Sequence, residues 1–202
     1  AEKTVKFNFA FFMHSMNEDF DYRLLRNFKF QKQTLAELDK LIENLSLLDG
    51  KFDLPCAKWH WDYTPGHVFI DNNRISVIDI LGIDNTPIFE DIGRFLAAMS
   101  TVNNLPFYPL FDHNRANGLL CDRFIESYLL EAEFERETFM LFADIYKLKN
   151  LIISFHTQHL MVSSKTHSVI ANIFANLRLV RLFEESISYT IEDISKRLKI
   201  YL

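Results

Sequence analysis

The chain of 202 residues has few of the residues on which several classes of protein depend. Its two cysteines, Cys56 and Cys121, are too few for a disulfide framework, so we expect a reducing compartment such as the cytoplasm. Lys and Arg number 22 against 27 Asp and Glu, and the net charge of −5 argues against a nucleic-acid binder. No apolar run reaches the roughly 20 residues of a membrane-spanning helix.

Glycine is also scarce, with five residues in the chain. Neither G-x-G-x-x-G nor G-x-x-x-x-G-K-[ST] occurs, which excludes the common glycine-rich phosphate-binding loops. Hydrophobic residues make up 49% of the sequence and include 20 Phe, enough for one large core. The composition therefore predicts a single globular domain.

The first fifty residues predict one strand and one long helix. Apolar residues alternate with other residues over positions 5–11, which is typical of a strand. Ser15 and Glu18 have the spacing of an N-terminal capping box, and apolar residues then recur at helical spacing over 35–48. Gly50 provides the predicted stop of the helix.

The middle of the chain predicts a β-hairpin, formed by two β-rich runs over 67–71 and 74–78. Thr86 followed by Pro87 predicts the start of a helix, since threonine caps helices and proline fits their first position.

The second half of the chain predicts a loop and then helices. Residues 103–117 contain prolines and polar residues and indicate a loop. Helical patterns follow over 119–134, 137–161, 165–185 and 191–202. We therefore expect a mainly α fold with a small β-hairpin, in three parts: a strand and helix over 1–50, a loop and hairpin over 51–82, and a helical subdomain over 83–202.

The chemically informative residues flank the predicted hairpin. Pairing of its strands should bring Asp62, His67 and Asp79 together at one end, and carboxylates in a polar loop suit Mg²⁺. Phosphoryl transfer needs one Asp for the acceptor hydroxyl and another for the metal. His60, Asp62 and His67 have the spacing of a kinase catalytic loop, with His67 where that loop has a metal-binding Asn.

This segment resembles the catalytic core of the aminoglycoside phosphotransferase and choline kinase superfamily. That pattern is His-Gly-Asp, four residues including Pro, Asn, a hydrophobic strand ending in Asp, and then a helix start of the form Asp-apolar-small-Arg. The matching pieces here are H-W-D-Y-T-P-G-H at 60–67, V-I-D at 77–79, E-D-I-G-R-F at 90–95 and R-F-I-E-S-Y at 123–128.

The resemblance implies a protein-kinase-like fold, of which this chain would be the helical C-terminal lobe. It also implies ATP-dependent transfer of phosphate to a hydroxyl group of a small molecule, with Mg²⁺ as cofactor. Asp62 would be the catalytic residue and His60 would support the catalytic loop. Asp79 and His67 would occupy the metal-binding positions.

Two further positions and several departures follow from the same comparison. Asp91 and Arg94 would support the site from the start of a helix. Trp61 replaces the family's Gly, His67 replaces its Asn, and too little chain precedes the loop for the family's β-rich N-terminal lobe. We therefore expect a helical lobe that is part of a longer protein or is completed by another chain or by self-association. The same departures leave open a non-catalytic, pseudokinase-like binding or regulatory module.

Two other features have less specific interpretations. Cys56, His60 and His67 could be considered as zinc ligands, but their spacing matches no standard zinc pattern. Glutamates alternate along 131–137, where a solvated face is favoured over a site for a cationic substrate.

Overall fold

The structure, a computed structural model, is mainly helical with small antiparallel sheets, which confirms the mainly α part of the predicted fold. It describes residues 3–71, 74–78, 80, 82–101, 113–131, 134–165 and 169–202. The strands are β1 (Thr4–Lys6), β2 (Asp53–Trp59), β3 (Val68–Asp71), β4 (Arg74–Val77) and β5 (Ile83–Pro87). The helices are α1 (Phe9–Asp19), α2 (Lys32–Ser46), α3 (Phe89–Thr101), α4 (His113–Glu131), α5 (Arg136–Lys165) and α6 (Val169–Leu198).

The strands form two small antiparallel sheets. The predicted hairpin is confirmed as β3 and β4, with Val68 opposite Val77 and Asp71 opposite Arg74. The other sheet has the order β1-β2-β5, and sequence reasoning missed its strands β2 and β5. An irregularity in β2 after Ala57 shifts its register with β5, at the end of the strand that leads into the predicted catalytic loop.

The core lies between the long helices α5 and α6 and the elements that pack against them, among them α3. The start of α5 contacts the end of α6 through Glu137 and Arg197, so these helices run antiparallel. Phenylalanine rings fill the space between α5, α3 and the segment that follows β1, with the rings of Phe7 and Phe89 centred 5.1 and 5.7 Å from that of Phe142. Much of the phenylalanine-rich composition is thus used in packing. Among the helices of the described ranges, none has the length and apolar character to cross a membrane.

The N-terminal prediction is correct only in part. The predicted strand over 5–11 is limited to β1, because Asn8 accepts a hydrogen bond from the backbone N–H of Phe11 and caps α1. Helix α1 therefore begins before the predicted capping box. Ser15 and Glu18 lie inside the helix, and the prediction that they start one is wrong.

Three predicted boundaries in the rest of the chain are also wrong. Thr86 and Pro87 end β5, because they pair with β2, and α3 begins only at Phe89. The loop predicted over 103–117 is helical from His113, and its residues 103–112 lie outside the described part. The predicted break after residue 185 does not occur, since α6 continues to Leu198.

Helices α3 and α5 approach each other closely at Gly93. A Cβ atom at this position would lie 2.4 Å from the carbonyl carbon of Tyr146, so only glycine fits without a shift of the helices. One turn away, Lys149 Nζ donates hydrogen bonds to both carboxylate oxygens of Glu90, at 2.7 and 2.9 Å. Both contacts place the same face of α3 against α5 and so fix the rotation of α3 about its axis.

Replacement of Gly93 by Ala should therefore destabilise the chain. We expect Gly93→Ala to lower the free energy of unfolding by about 1–3 kcal/mol, because the added methyl group forces α3 and α5 apart. Gly118→Ala is the matched control in α4, where nothing lies within 4 Å of the added Cβ. The free energy of unfolding of the control should rise by up to about 1 kcal/mol, because alanine has the higher helix propensity. Urea unfolding measures this free energy for both variants, and an increase in both would contradict the close contact.

Candidate functional site

The predicted catalytic loop connects β2 to the β3–β4 hairpin, and residues 60–67 are called the site loop below. The chain turns directly after β2 because Trp61 has a φ angle of +80°, in the left-handed region that favours glycine. A short 3-10 turn, Pro65–His67, then leads into β3. These two turns bring His60, Asp62 and His67 close together in the site loop.

Asp91, in the first turn of α3, holds the backbone of the site loop. Its Oδ2 accepts a hydrogen bond from the backbone N–H of His60 at 2.9 Å. Burial raises the pKa of Asp91, while hydrogen bonding from the backbone amides of His60 and Trp61 partly offsets this increase. A half-buried carboxylate that accepts backbone hydrogen bonds fixes the loop relative to the helix.

Arg94, one turn further along α3, holds the carboxylate of Asp62. Its Nε and Nη2 donate hydrogen bonds to Oδ1 of Asp62 at 3.0 and 2.9 Å. The Asp62 side chain remains 40% exposed, so a molecule in solution can reach it. Both contacts from Arg94 are made to one oxygen, which leaves Oδ2 on the side of His67, 3.7 Å from its Nδ1.

His67 is also bonded to the backbone of the site loop. Its Nδ1 lies 2.6 Å from the carbonyl oxygen of Asp62, and since a carbonyl can only accept, Nδ1 carries the proton. A metal at His67 would therefore have to bind through Nε2.

His60, the first residue of the site loop, is buried, with 5% of its surface exposed. Its ring lies nearly parallel to that of His67, with centroids 5.9 Å apart, and 5.4 Å from the ring of Tyr63. Within the described residues, neither ring nitrogen of His60 nor Oδ1 of Asp91 has a hydrogen-bond partner. Buried polar atoms usually have partners, so the site retains unused hydrogen-bonding capacity next to Asp62.

Only some residues of the predicted metal site lie in the described part of the chain. Asp79, the expected metal-binding carboxylate, lies outside the described residues. No three His, Cys, Asp or Glu side chains within the described ranges come together to hold a metal. Cys56, His60 and His67 therefore form no zinc site. Because Asp79 is not described, Mg²⁺ at Asp79 and His67 stays a prediction.

A cavity of about 540 Å³ adjoins the site loop. Trp59, Trp61 and Arg94 line it on the side of the loop, and the buried pair of Glu90 and Lys149 lies on the side of the helices. Sequence reasoning missed this cavity and the pair. One signal was available, because Lys149 stands in a mostly apolar stretch of the sequence, where a lysine is expected to have a buried partner.

The left-handed backbone at Trp61 gives a testable difference between two small residues. We expect Trp61→Gly to be more stable than Trp61→Ala by about 1 kcal/mol, because only glycine adopts this conformation without strain. Both variants lose the same indole ring, so their difference isolates the backbone. Ala57→Gly, in β2, should instead destabilise by about 0.5–1 kcal/mol. Equal unfolding free energies at position 61 would show that the loop does not turn there as described.

No protein-family model matches the chain, and a search of the curated proteins finds no significant match. The function is therefore inferred from the residues of the site loop and from the side chains that hold them.

Proposed function

We propose that the chain is the helical lobe of a phosphotransferase that moves the terminal phosphate of ATP to a hydroxyl group of a small molecule. One observation carries the proposal: α3 supplies both Asp91, which holds the backbone of the site loop, and Arg94, which holds the carboxylate of Asp62. Catalysis of phosphoryl transfer consists largely of positioning and electrostatic stabilisation. A rigidly held, accessible carboxylate in such a loop suits that chemistry.

The conformation of Trp61 supports the same proposal. The superfamily pattern has glycine between its His and Asp, and the backbone here adopts a left-handed φ angle at that position. The loop therefore has the backbone shape for which glycine is suited, although tryptophan occupies the position. Gly93 gives similar support, because the pattern has a small residue there and the close approach of α5 requires one.

In the proposed reaction, Asp62 orients the acceptor. The acceptor hydroxyl donates a hydrogen bond to Oδ2 of Asp62, the oxygen that Arg94 does not bind. The hydroxyl oxygen attacks the γ-phosphorus of ATP, the bond from that phosphorus to the β–γ bridging oxygen breaks, and the hydroxyl proton passes to Asp62. Arg94 is a positioning residue in this step, because it acts through the Asp62 carboxylate, which it holds in place.

The nucleotide would need a further cover. Apart from the β3–β4 hairpin, the strands of the described chain form one small sheet, β1-β2-β5. We propose that a further segment or a second chain supplies the lobe that covers ATP.

A non-catalytic binding module is the second candidate, and the identity of residue 67 favours it. The superfamily has an amide ligand for metal at this position, whereas the imidazole of His67 suits softer metals than Mg²⁺. Such a module would bind a ligand beside the site loop without transferring phosphate.

Substitution of Asp62 tests the proposed reaction. Transfer of ³²P from γ-labelled ATP, with Mg²⁺, to a panel of small hydroxyl compounds should fall by about 10²–10⁴-fold in Asp62→Asn, because the amide cannot accept the proton. Asp122→Asn, an exposed Asp on α4, is the matched control and should keep full activity. Transfer at the wild-type rate in Asp62→Asn would overturn the proposal.

A binding measurement separates the two candidates. If Mg·ATP raises the melting temperature of the wild type and no compound in the panel is phosphorylated, the non-catalytic module is the better description.

A further inference from the structure

The cavity beside the site loop has the position and size of a small-molecule site. Its volume of about 540 Å³ lies within the range usual for such pockets. Arg94 lines the cavity and also donates two hydrogen bonds to Asp62. Arg94 thus connects the cavity to the Asp62 carboxylate, which is not itself among the lining residues.

One wall of the cavity is aromatic. Trp59 and Trp61 line it, and the ring of Trp61 is about half exposed. The two ring centroids are 4.7 Å apart, with the rings tilted by 48°. Rings this close leave no room for a group between them, so they form a continuous surface and not a cage around a cation. Such a surface suits the flat face of another ring.

The charges in the depth of the cavity are already satisfied by the protein. Lys149 is buried, and its three N–H groups match three contacts, to both oxygens of Glu90 and to Oγ of Ser15. Glu90 is also buried and has both of its oxygens engaged. The charges of Lys149 and Glu90 are therefore paired with each other and are not available to a charged ligand.

The other charged groups that line the cavity are paired as well. Arg94 is paired with Asp62 at 2.9 Å. At the rim, His14 lies 3.0 Å from Glu18, and both are mostly exposed. Among the described residues, the charged groups inside the cavity are therefore paired, and a charged ligand there would have to break one of these pairs.

The cavity has polar groups with hydrogen-bonding capacity beyond their contacts within the protein. Asn150 uses one N–H of its Nδ2 to bond the backbone carbonyl of Tyr146, which leaves its Oδ1 as an acceptor and a second N–H as a donor. Thr157 donates its hydroxyl proton to the carbonyl of Ile153 and retains lone pairs on Oγ1. Hydroxyl groups of a ligand can both donate to and accept from such groups without adding charge.

We propose that this cavity binds an uncharged polyhydroxylated ring, a sugar or a cyclitol, with one face against Trp59 and Trp61 and its hydroxyl groups toward Asn150 and Thr157. The binding stands on the cavity alone. The further role of this ring as the acceptor of phosphate rests on the proposed function of Asp62.

The tryptophans give a direct measurement of binding. The chain has two Trp residues, and both line this cavity, so intrinsic fluorescence reports on it specifically. The full chain is titrated, without nucleotide, with methyl α-D-glucopyranoside, methyl α-D-galactopyranoside, methyl β-D-ribofuranoside and myo-inositol. Glucosamine, choline and glucose 6-phosphate serve as charged probes.

We expect a saturable change with at least one neutral probe, with a Kd of about 1 mM or below, and binding of the charged probes about tenfold weaker or worse. Thr157→Val should weaken binding of the neutral probe about tenfold, because it removes an acceptor without changing side-chain volume. Ser127→Ala is the matched control: its hydroxyl also bonds a carbonyl four residues earlier in a helix, outside this cavity. It should leave binding unchanged.

Two results would overturn the inference: a charged probe that binds more tightly than every neutral one, or no saturable change with any neutral probe. Binding of a neutral probe that is never phosphorylated would contradict the proposed function and leave the binding site intact. Phosphate transfer to other compounds, with no neutral ring bound, would contradict the binding site alone.

Discussion

The hydrogen bond from the backbone N–H of His60 to the carboxylate of Asp91 is the contact on which the rest of the site depends. It joins the site loop to the first turn of α3, and Arg94, one turn later on the same side of that helix, extends the connection to the carboxylate of Asp62. The position of α3 is itself fixed by the close approach of Gly93 to α5. The orientation of Asp62 is therefore set by helix packing, and not by the loop alone.

The sequence predicts well those elements of secondary structure that depend on local residue patterns. The β3–β4 hairpin and the helical second half follow from alternation and from helical spacing. The roles of His60, Asp62 and Asp91 come from a resemblance and stay predictions. Long-range partners decide the rest. Thr86 and Pro87 have the local signature of a helix start, yet pairing with β2 makes them the end of a strand.

The motif also accounts for residues whose reasons are visible only in three dimensions. Spacing marks Asp91 as a supporting residue, but its bond to a backbone N–H depends on how α3 is rotated against α5. The pair of Glu90 and Lys149 spans 59 positions in sequence, and no local pattern connects them. This pair helps to fix α3 against α5. It also leaves the depth of the cavity without net charge, which is why we propose an uncharged ligand.

Residue-resolved amide hydrogen exchange tests most directly whether α3 holds the site loop. In the intact chain the His60 amide should be protected nearly as well as that of Leu96 in the middle of α3, because both are held by the same packed helix. Asp91→Ala should remove the protection of His60 and leave that of Leu96 largely intact. Exchange of His60 in the wild type at the rate of an open loop would contradict the account.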